Sequence, residues 1–370
     1  MVGRCLPAVS KHCRQDHARH SAAHRCRGKR ETCQRKACCC KTSGRRQDRR
    51  YSQGAQTRPT SLKILKAASV TALLLAIFLW LAWTPDLPRE QLLQSYTKAG
   101  NAQLVVGEQP YFIQDTGPRD APVMVLLHGF GASLQTWDAW AAAMETQWRV
   151  VRIDVPAFGL TGPAVNNDYS DEADVARLAQ LLDHLGLQKV ALGGHSMGGR
   201  MAWNFAAAYP QRVSHLVLVA PDGFPDPRST TEFTYQVSPW LGLMKLSLPA
   251  WALKMGVAPA YGDDTLLQPE TLRRYQDMMR APGVRVALME RMRQSRNSDP
   301  VPRLQTLKMP VLLVWGDKDA FIPISNAQDY LKAIPHATLA AIPLAGHVVH
   351  EEAPTPSVQA LKEFLQKTNY

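Results

Sequence analysis

The sequence predicts an α/β protein, a mostly parallel eight-stranded sheet with helices on both faces and one helical insert. Three observations carry this. Short apolar runs fall at 103–106, 110–115, 123–128, 149–154, 189–194, 214–220, 310–315 and 338–342. Helical patterns lie between them, as in Asp171 to Leu185, where Val175, Leu178, Leu182 and Leu185 keep helical spacing. The alternation breaks once, from 224 to 302. Alternating strands and helices give a mostly parallel sheet covered on both faces, with its functional groups at the carboxyl ends of the strands.

The first 100 residues are built differently. Residues 1–66 hold 18 Lys plus Arg against 3 acids, whereas 67–370 hold 25 basic and 28 acidic residues. The net charge of +12 therefore describes the N-terminal arm and says nothing about the later surface. All seven cysteines lie in residues 5–40, in spacings that resemble no closed four-ligand zinc site. Such charge alone would suit nucleic acid or anionic lipid, but no nucleic-acid partner is expected. Without hydrophobic periodicity, residues 1–61 read as a disordered extension. Initiation at a non-AUG codon near Leu62 would leave a short basic leader instead.

Residues 62–84 read as a signal anchor. Lys63 and Lys66 precede 67–83, which are 17 residues without a charge. At about 1.5 Å per residue that stretch spans roughly 26 Å, enough to cross a bilayer core. Trp80 and Trp83 suit the far interface, and the preceding positive charge places the N-terminus in the cytoplasm. No small-x-small cleavage site follows, so the anchor is expected to stay, with the remainder of the chain periplasmic or extracellular. Thr84-Pro-Asp-Leu-Pro88 ends the helix and opens a tether over 85–100.

The first half of the sheet domain, 101–223, contains Val190-Ala-Leu-Gly-Gly-His-Ser-Met-Gly-Gly199, followed by an alanine-rich helix. Strand, G-x-S-x-G and helix together make a nucleophile elbow, with Ser196 as the nucleophile. Such an elbow requires an acid and then a histidine later in the chain. In 303–370, strands end at Gly316-Asp-Lys-Asp319 and just before Gly346-His347. Asp319 and His347 complete the order. His347 takes the serine proton and returns it to the leaving group, and Asp319 fixes the histidine tautomer. Asp317 and Asp222 are the rival acids, each also suited to bracing a turn. Among the histidines, His350 is expected to anchor its loop, His195 to be structural and His128 to brace a turn. The turn His128-Gly-Phe-Gly131 supplies the second oxyanion donor, so the backbone amides of Phe130 and Met197 form the oxyanion hole.

Residues 224–302 are too long for a structureless loop and read as a helical cap, with prolines at 225, 227, 239 and 249 and a more polar helix around 270–280. Phe130, Trp240, Leu243, Met244 and Trp251 are candidate walls of an acyl-chain pocket. The apolar cap residues equally suit burial against the body, and those from Trp240 to Trp251 suit contact with a membrane surface.

These pieces, with Asp154-Val-Pro-Ala-Phe-Gly159, resemble the alpha/beta-hydrolase superfamily in its esterase/lipase-like branch with a helical cap. The resemblance covers 101–370. It implies a serine hydrolase that cleaves small-molecule or lipid carboxylic esters through an acyl-enzyme on Ser196. No cofactor or metal is implied, because nucleophile and base are both protein groups. Ala157 departs from the pattern, since relatives often carry glycine there. Dehalogenases and epoxide hydrolases of this resemblance carry aspartate as nucleophile, which Ser196 argues against. Two alternatives remain. One is a carbon–carbon bond hydrolase of dienoic diketone acids, for which Arg200 and the cap arginines would hold the carboxylate. The other is a non-catalytic binding protein on the same fold.

Overall fold

The computed structural model describes residues 61–224, 239–296 and 298–368, with the side chains of residues 62, 81, 239 and 240 left aside. The extension expected over 1–61 lies outside these residues apart from its last position.

Eight strands, β1 (Asn101–Val106), β2 (Gln109–Thr116), β3 (Val123–Leu127), β4 (Arg149–Ile153), β5 (Val190–His195), β6 (Val213–Val219), β7 (Val311–Gly316) and β8 (Thr338–Ile342), form one sheet. Their order is β1-β2-β4-β3-β5-β6-β7-β8. β1 and β2 run antiparallel to their neighbours, and β3 to β8 are mutually parallel. Each expected strand lies within two residues of an observed one.

The core is divided by the sheet. In β3, Val125 and Leu127 pack in one cluster while Met124 and Leu126 pack in another, the two-residue alternation of a strand buried on both faces. The first cluster takes Leu178 and Leu182 from α4 (Asp171–His184) and Met201, Ala202 and Phe205 from α5 (Met197–Ala208). The second takes Trp140 and Met144 from α3 (Asp138–Met144) and Leu361 and Phe364 from α12 (Pro354–Lys367). α4 starts where the sequence places it. The Ser170 side chain accepts from the Ala173 amide, and three acids occupy the first turn.

Between β6 and β7 the described insert holds a 3-10 segment (Pro239–Lys245), α6 (Ala250–Val257), α7 (Pro269–Met279), α8 (Val284–Gln294) and α9 (Val301–Leu304). Leu248, Leu253, Tyr275, Met279 and Leu288 fix it to the first cluster. After β7 come α10 (Asn326–Ala333) and α11 (Val349–Glu352).

α1 (Ser61–Ala82) is the one described helix long and apolar enough to cross a membrane, and none of its Lys63–Trp80 stretch is buried. The residues after it are not a plain tether. They include α2 (Arg89–Tyr96), whose Leu92 is buried beside Phe112, Leu134, Leu160 and Met278. The Tyr96 hydroxyl donates to Asp277 at 2.8 Å. Two turns carrying three apolar residues give no readable periodicity, and docking rather than propensity holds them helical.

Candidate active site

Ser196 sits between β5 and α5 with φ 51° and ψ −118°, a conformation that L-residues rarely adopt. The neighbouring glycines make it possible. A Cβ on Gly194 would overlap the Gly198 backbone, and one on Gly198 would overlap the carbonyls of Leu127 and His128. The Ser196 amide donates to Val219 at 2.9 Å, so β6 holds the turn in register. Met197 opens α5, and Phe130 follows β3, its ring edge-on to Phe158 at 5.3 Å. Among the described residues neither the Phe130 nor the Met197 amide has a backbone acceptor. Both remain available to an oxyanion.

Asp319 and His347 come from different strand ends and meet. His347 Nδ1 lies 2.8 Å from Asp319 Oδ2. The other carboxylate oxygen, Oδ1, accepts from the Phe321 and Ile322 amides at 2.9 and 2.8 Å. The aspartate is therefore fixed in two directions, and His347 carries its Nδ1 proton toward it. The rivals are occupied elsewhere. Asp317 accepts from the Leu344 amide at 2.7 Å, and the Asp222 carboxylate lies 3.7 Å from Arg200.

The remaining histidines are buried braces. His195 Nε2–H donates to the His347 carbonyl at 3.0 Å, and His350 Nε2 pairs with the Thr136 hydroxyl at 3.0 Å. Burial, reinforced by neighbouring histidines, holds both well below the usual histidine range. His128 donates Nδ1–H to Gly129 and accepts the Val155 amide at Nε2, and burial lowers it to about 4. Beside it, Asp154 accepts the Leu134 and Leu160 amides at 2.7 Å each, and burial raises it to about 7.

Ser196, Met197, Phe130 and His347 line one cavity of about 1450 Å³. Its apolar end is walled by Leu241, Met244, Leu248, Leu253 and Val257 of the insert, and its polar end includes Asp171, Arg200, Asp222 and Arg303. Of the expected pocket residues, Phe130 and Met244 are on the wall. Leu243 and Trp251 are not; they are 54% and 69% exposed on the outer side of the insert. The three-residue repeat of the 3-10 segment explains Leu243, since it puts Leu241 and Met244 on one side and Leu243 on another. Trp251 belongs to α6, where it shares a side with the exposed Met255 and faces away from the buried Leu253. The side chain of Trp240 lies outside the described part.

Sequence reasoning missed the seam between insert and body. Arg291 of α8 pairs with the buried Asp174 of α4, donates to the Pro156 carbonyl at 3.2 Å and reaches Met197 Sδ at 3.0 Å. Arg274 and Tyr275 of α7 bind Glu351. The Glu352 carboxylate accepts from the Gly262, Asp263 and Gly346 amides, clamping the His347 loop to the insert. These partners lie 76 to 117 residues apart where they join side chains, and no local pattern announces them.

Known proteins agree with this architecture. A family model described as alpha/beta hydrolase fold matches residues 122–354. The dihydrolipoyllysine-residue acetyltransferase component of an acetoin cleaving system from Pseudomonas putida is 32% identical over 256 residues, covering 68% of this chain and 66% of that protein's length. A 2-hydroxy-6-oxononadienedioate/2-hydroxy-6-oxononatrienedioate hydrolase from Pseudomonas sp is 27% identical over 260 residues, 69% of this chain and 91% of the relative. The crystal structure of a membrane phospholipase A, a bacterial virulence factor, superposes with a TM-score of 0.62 at 23% identity, over 84% of this chain and 97% of that one. With the elbow, the sheet order and the family match in agreement, the chain belongs to the alpha/beta hydrolase family.

Proposed function

We propose that this chain is a membrane-anchored serine hydrolase that cleaves carboxylic esters with an apolar acyl or alcohol part. The observation that carries the reading is that His347, held by Asp319 at 2.8 Å, lines the same cavity as the strained Ser196 turn. Ser196 Oγ attacks the ester carbonyl while His347 Nε2 takes its proton, and Asp319 stabilises the imidazolium. The Phe130 and Met197 amides receive the oxyanion. His347 then protonates the departing alcohol, and a water activated by the same histidine releases the acid. The apolar end of the cavity receives the hydrocarbon part of the substrate. α1 is the anchor, with the N-terminus cytoplasmic and the catalytic body on the far side. The likeness to the membrane phospholipase A extends over more of the chain than residues 101–370 make up, which is in keeping with that arrangement.

A carbon–carbon hydrolase is the second reading, favoured by the relative from Pseudomonas sp. It needs free cations for a substrate carboxylate. Arg200 holds Asp171 through three contacts of 2.8 to 3.1 Å and Arg291 is committed to Asp174, which weighs toward the ester. Arg293, Arg296 and Arg303 on the same lining are the cations this second reading would use.

The test is hydrolysis of p-nitrophenyl esters from acetyl to palmitoyl by the full chain in detergent, beside Ser196→Ala. Activity that disappears in the variant is expected. A fluorophosphonate that labels Ser196 without turnover of any ester would move the assignment to the carbon–carbon reading. No labelling at all would indicate a binding protein.

A further inference from the structure

The segment that leaves α1 is strapped to the insert by a dense set of bonds. Ser247 Oγ donates to the Ala82 carbonyl at 2.6 Å, the Thr84 amide to the Leu246 carbonyl at 3.0 Å, and the Leu248 amide to Thr84 Oγ1 at 2.5 Å. Arg285 of α8 binds the Thr84 and Met244 carbonyls at 2.8 and 2.9 Å and the Asp86 carboxylate at 2.5 Å. Leu87 and Arg280 complete the strap, the Leu87 amide donating to the Arg280 carbonyl at 2.8 Å and Arg280 Nε to the Pro85 carbonyl at 2.9 Å. The 3-10 segment and the start of α6 are thus held at the level where α1 ends, beside Trp83.

On that same layer, the outward side is apolar. Leu243, Leu246, Trp251 and Met255 are 54%, 61%, 69% and 71% exposed. Residues 239–262 contain two lysines, Lys245 and Lys254, both exposed, and no acidic residue. Exposed apolar side chains with an aromatic and basic residues are the composition of a surface that lies in a lipid headgroup region. The inward side of the same residues, Leu241, Met244, Leu248 and Leu253, walls the apolar end of the cavity. One layer of chain separates the patch from the site.

We infer that the outer face of residues 243–255 sits in the interface of the same bilayer that α1 crosses, and that lipid esters reach Ser196 from that bilayer past this layer. The inference rests on the anchor and ester readings above. A bilayer is favoured over a second protein because the patch is continuous with the end of a membrane-length helix and carries positive charge without negative.

The experiment uses the full chain in vesicles of phosphatidylcholine and phosphatidylglycerol. Two substrates are compared, p-nitrophenyl butyrate in the aqueous phase and 4-methylumbelliferyl oleate dissolved in the bilayer. Leu246→Glu/Met255→Glu is expected to turn over the oleate about tenfold more slowly or worse, and the butyrate as the unsubstituted chain does. Val105→Glu, a charge placed on an exposed apolar residue of β1, is expected to change neither. Oleate turnover unaffected by the double substitution, or reduced as much by Val105→Glu, overturns the inference. So does a double variant that keeps oleate turnover but converts a dimer to a monomer on sedimentation, since the patch then belongs to a second copy. Docking is also read without any substrate. Headgroup-proximal brominated lipids should quench the part of the fluorescence lost in Trp251→Phe, and an unquenched difference overturns it. Were the unsubstituted chain to cleave no ester while Trp251 is quenched, the ester reading would fail and the docked surface would stand.

Discussion

The sheet wall of the cavity and the insert wall are held by different forces. On the sheet side, position comes from main chain: Ser196 is set by β5, β6 and two glycines without room for a Cβ, and Asp319 by two amides of its own turn. On the insert side, position comes from side chains, through Arg291 on Asp174, Arg274 on Glu351 and Arg285 on Asp86. Backbone bonds within a sheet tolerate many side-chain changes, so chemistry that needs ångström placement is safe there. Ion pairs between distant residues can be exchanged one at a time, which suits a wall that chooses the substrate.

The largest effect should separate the two walls kinetically. Asp319→Asn keeps the geometry but permits the wrong histidine tautomer, so kcat on a short ester should fall about 10⁴-fold with KM little changed. Met244→Ala, on the insert wall, should raise KM for long-chain esters about tenfold and leave kcat on acetyl esters near its original value. If Met244→Ala depressed kcat on the short ester as severely as Asp319→Asn, the division of labour would be wrong.

Next comes the seam itself. Asp174 and Arg291 are both nearly inaccessible, so Asp174→Asn strands a buried guanidinium and should cost about 3–5 kcal/mol. Because Arg291 also touches the Pro156 carbonyl and Met197, activity should drop with stability. Replacing Asp174→Leu together with Arg291→Met should recover part of the stability in denaturant titration, the remainder being held back by Arg177, which also pairs with Asp174 at 2.9 Å. Failure to recover would mean that the arginine acts mainly through its contacts beside Ser196.

The same contrast decides what could be read from the sequence. Strands β3 to β7 were legible because burial on both faces makes an apolar run, and the placement of Ser196, Asp319 and His347 was legible because G-x-S-x-G and two strand-end turns are local patterns. The direction of Leu243 and Trp251 was not, since a 3-10 segment and a short α-helix separated at Pro249 do not carry one continuous helical period. Nor were α2 or the three ion pairs, whose partners meet only after the chain has folded. Proximity in space leaves no trace in spacing.

The sheet side should also dominate the response to pH. His128, His195, His215 and His350 are all shifted below their usual 6.5, by burial first, and His128 lies at about 4. Their unfolded counterparts take up protons as pH falls through 6.5 while the folded groups do not, so the stability they give at pH 7 is lost on acidification toward 4. Asp154 has the opposite sign. Its folded value of about 7 lies above the unfolded 3.8, so its contribution is greatest below pH 3.8 and declines as pH rises to 7. The histidines outnumber it, so among these groups unfolding at pH 5 should take up protons on balance. His350→Gln should remove about one of them, measured as the slope of unfolding free energy against pH. An unchanged slope would mean that His350 is already protonated in the fold.

The smallest effect concerns strain in the sheet wall. Ala157 is fully buried at φ 89°, its amide donating to Gly162 at 2.8 Å. An alanine in the left-handed region costs about 1–2 kcal/mol, whereas glycine there costs little but loses about 0.4–1 kcal/mol through the freedom of the unfolded chain. Ala157→Gly should therefore stabilise by up to about 1.6 kcal/mol, with unchanged kcat and KM. The turn it belongs to is also tied to the insert, because Arg291 donates to the neighbouring Pro156 carbonyl. In the Asp174→Leu/Arg291→Met background that tie is gone, and the turn is free to relax by itself. The gain from glycine should then shrink. A gain of the same size in both backgrounds would place the strain wholly within the 155–162 turn and remove any part of the insert in holding it.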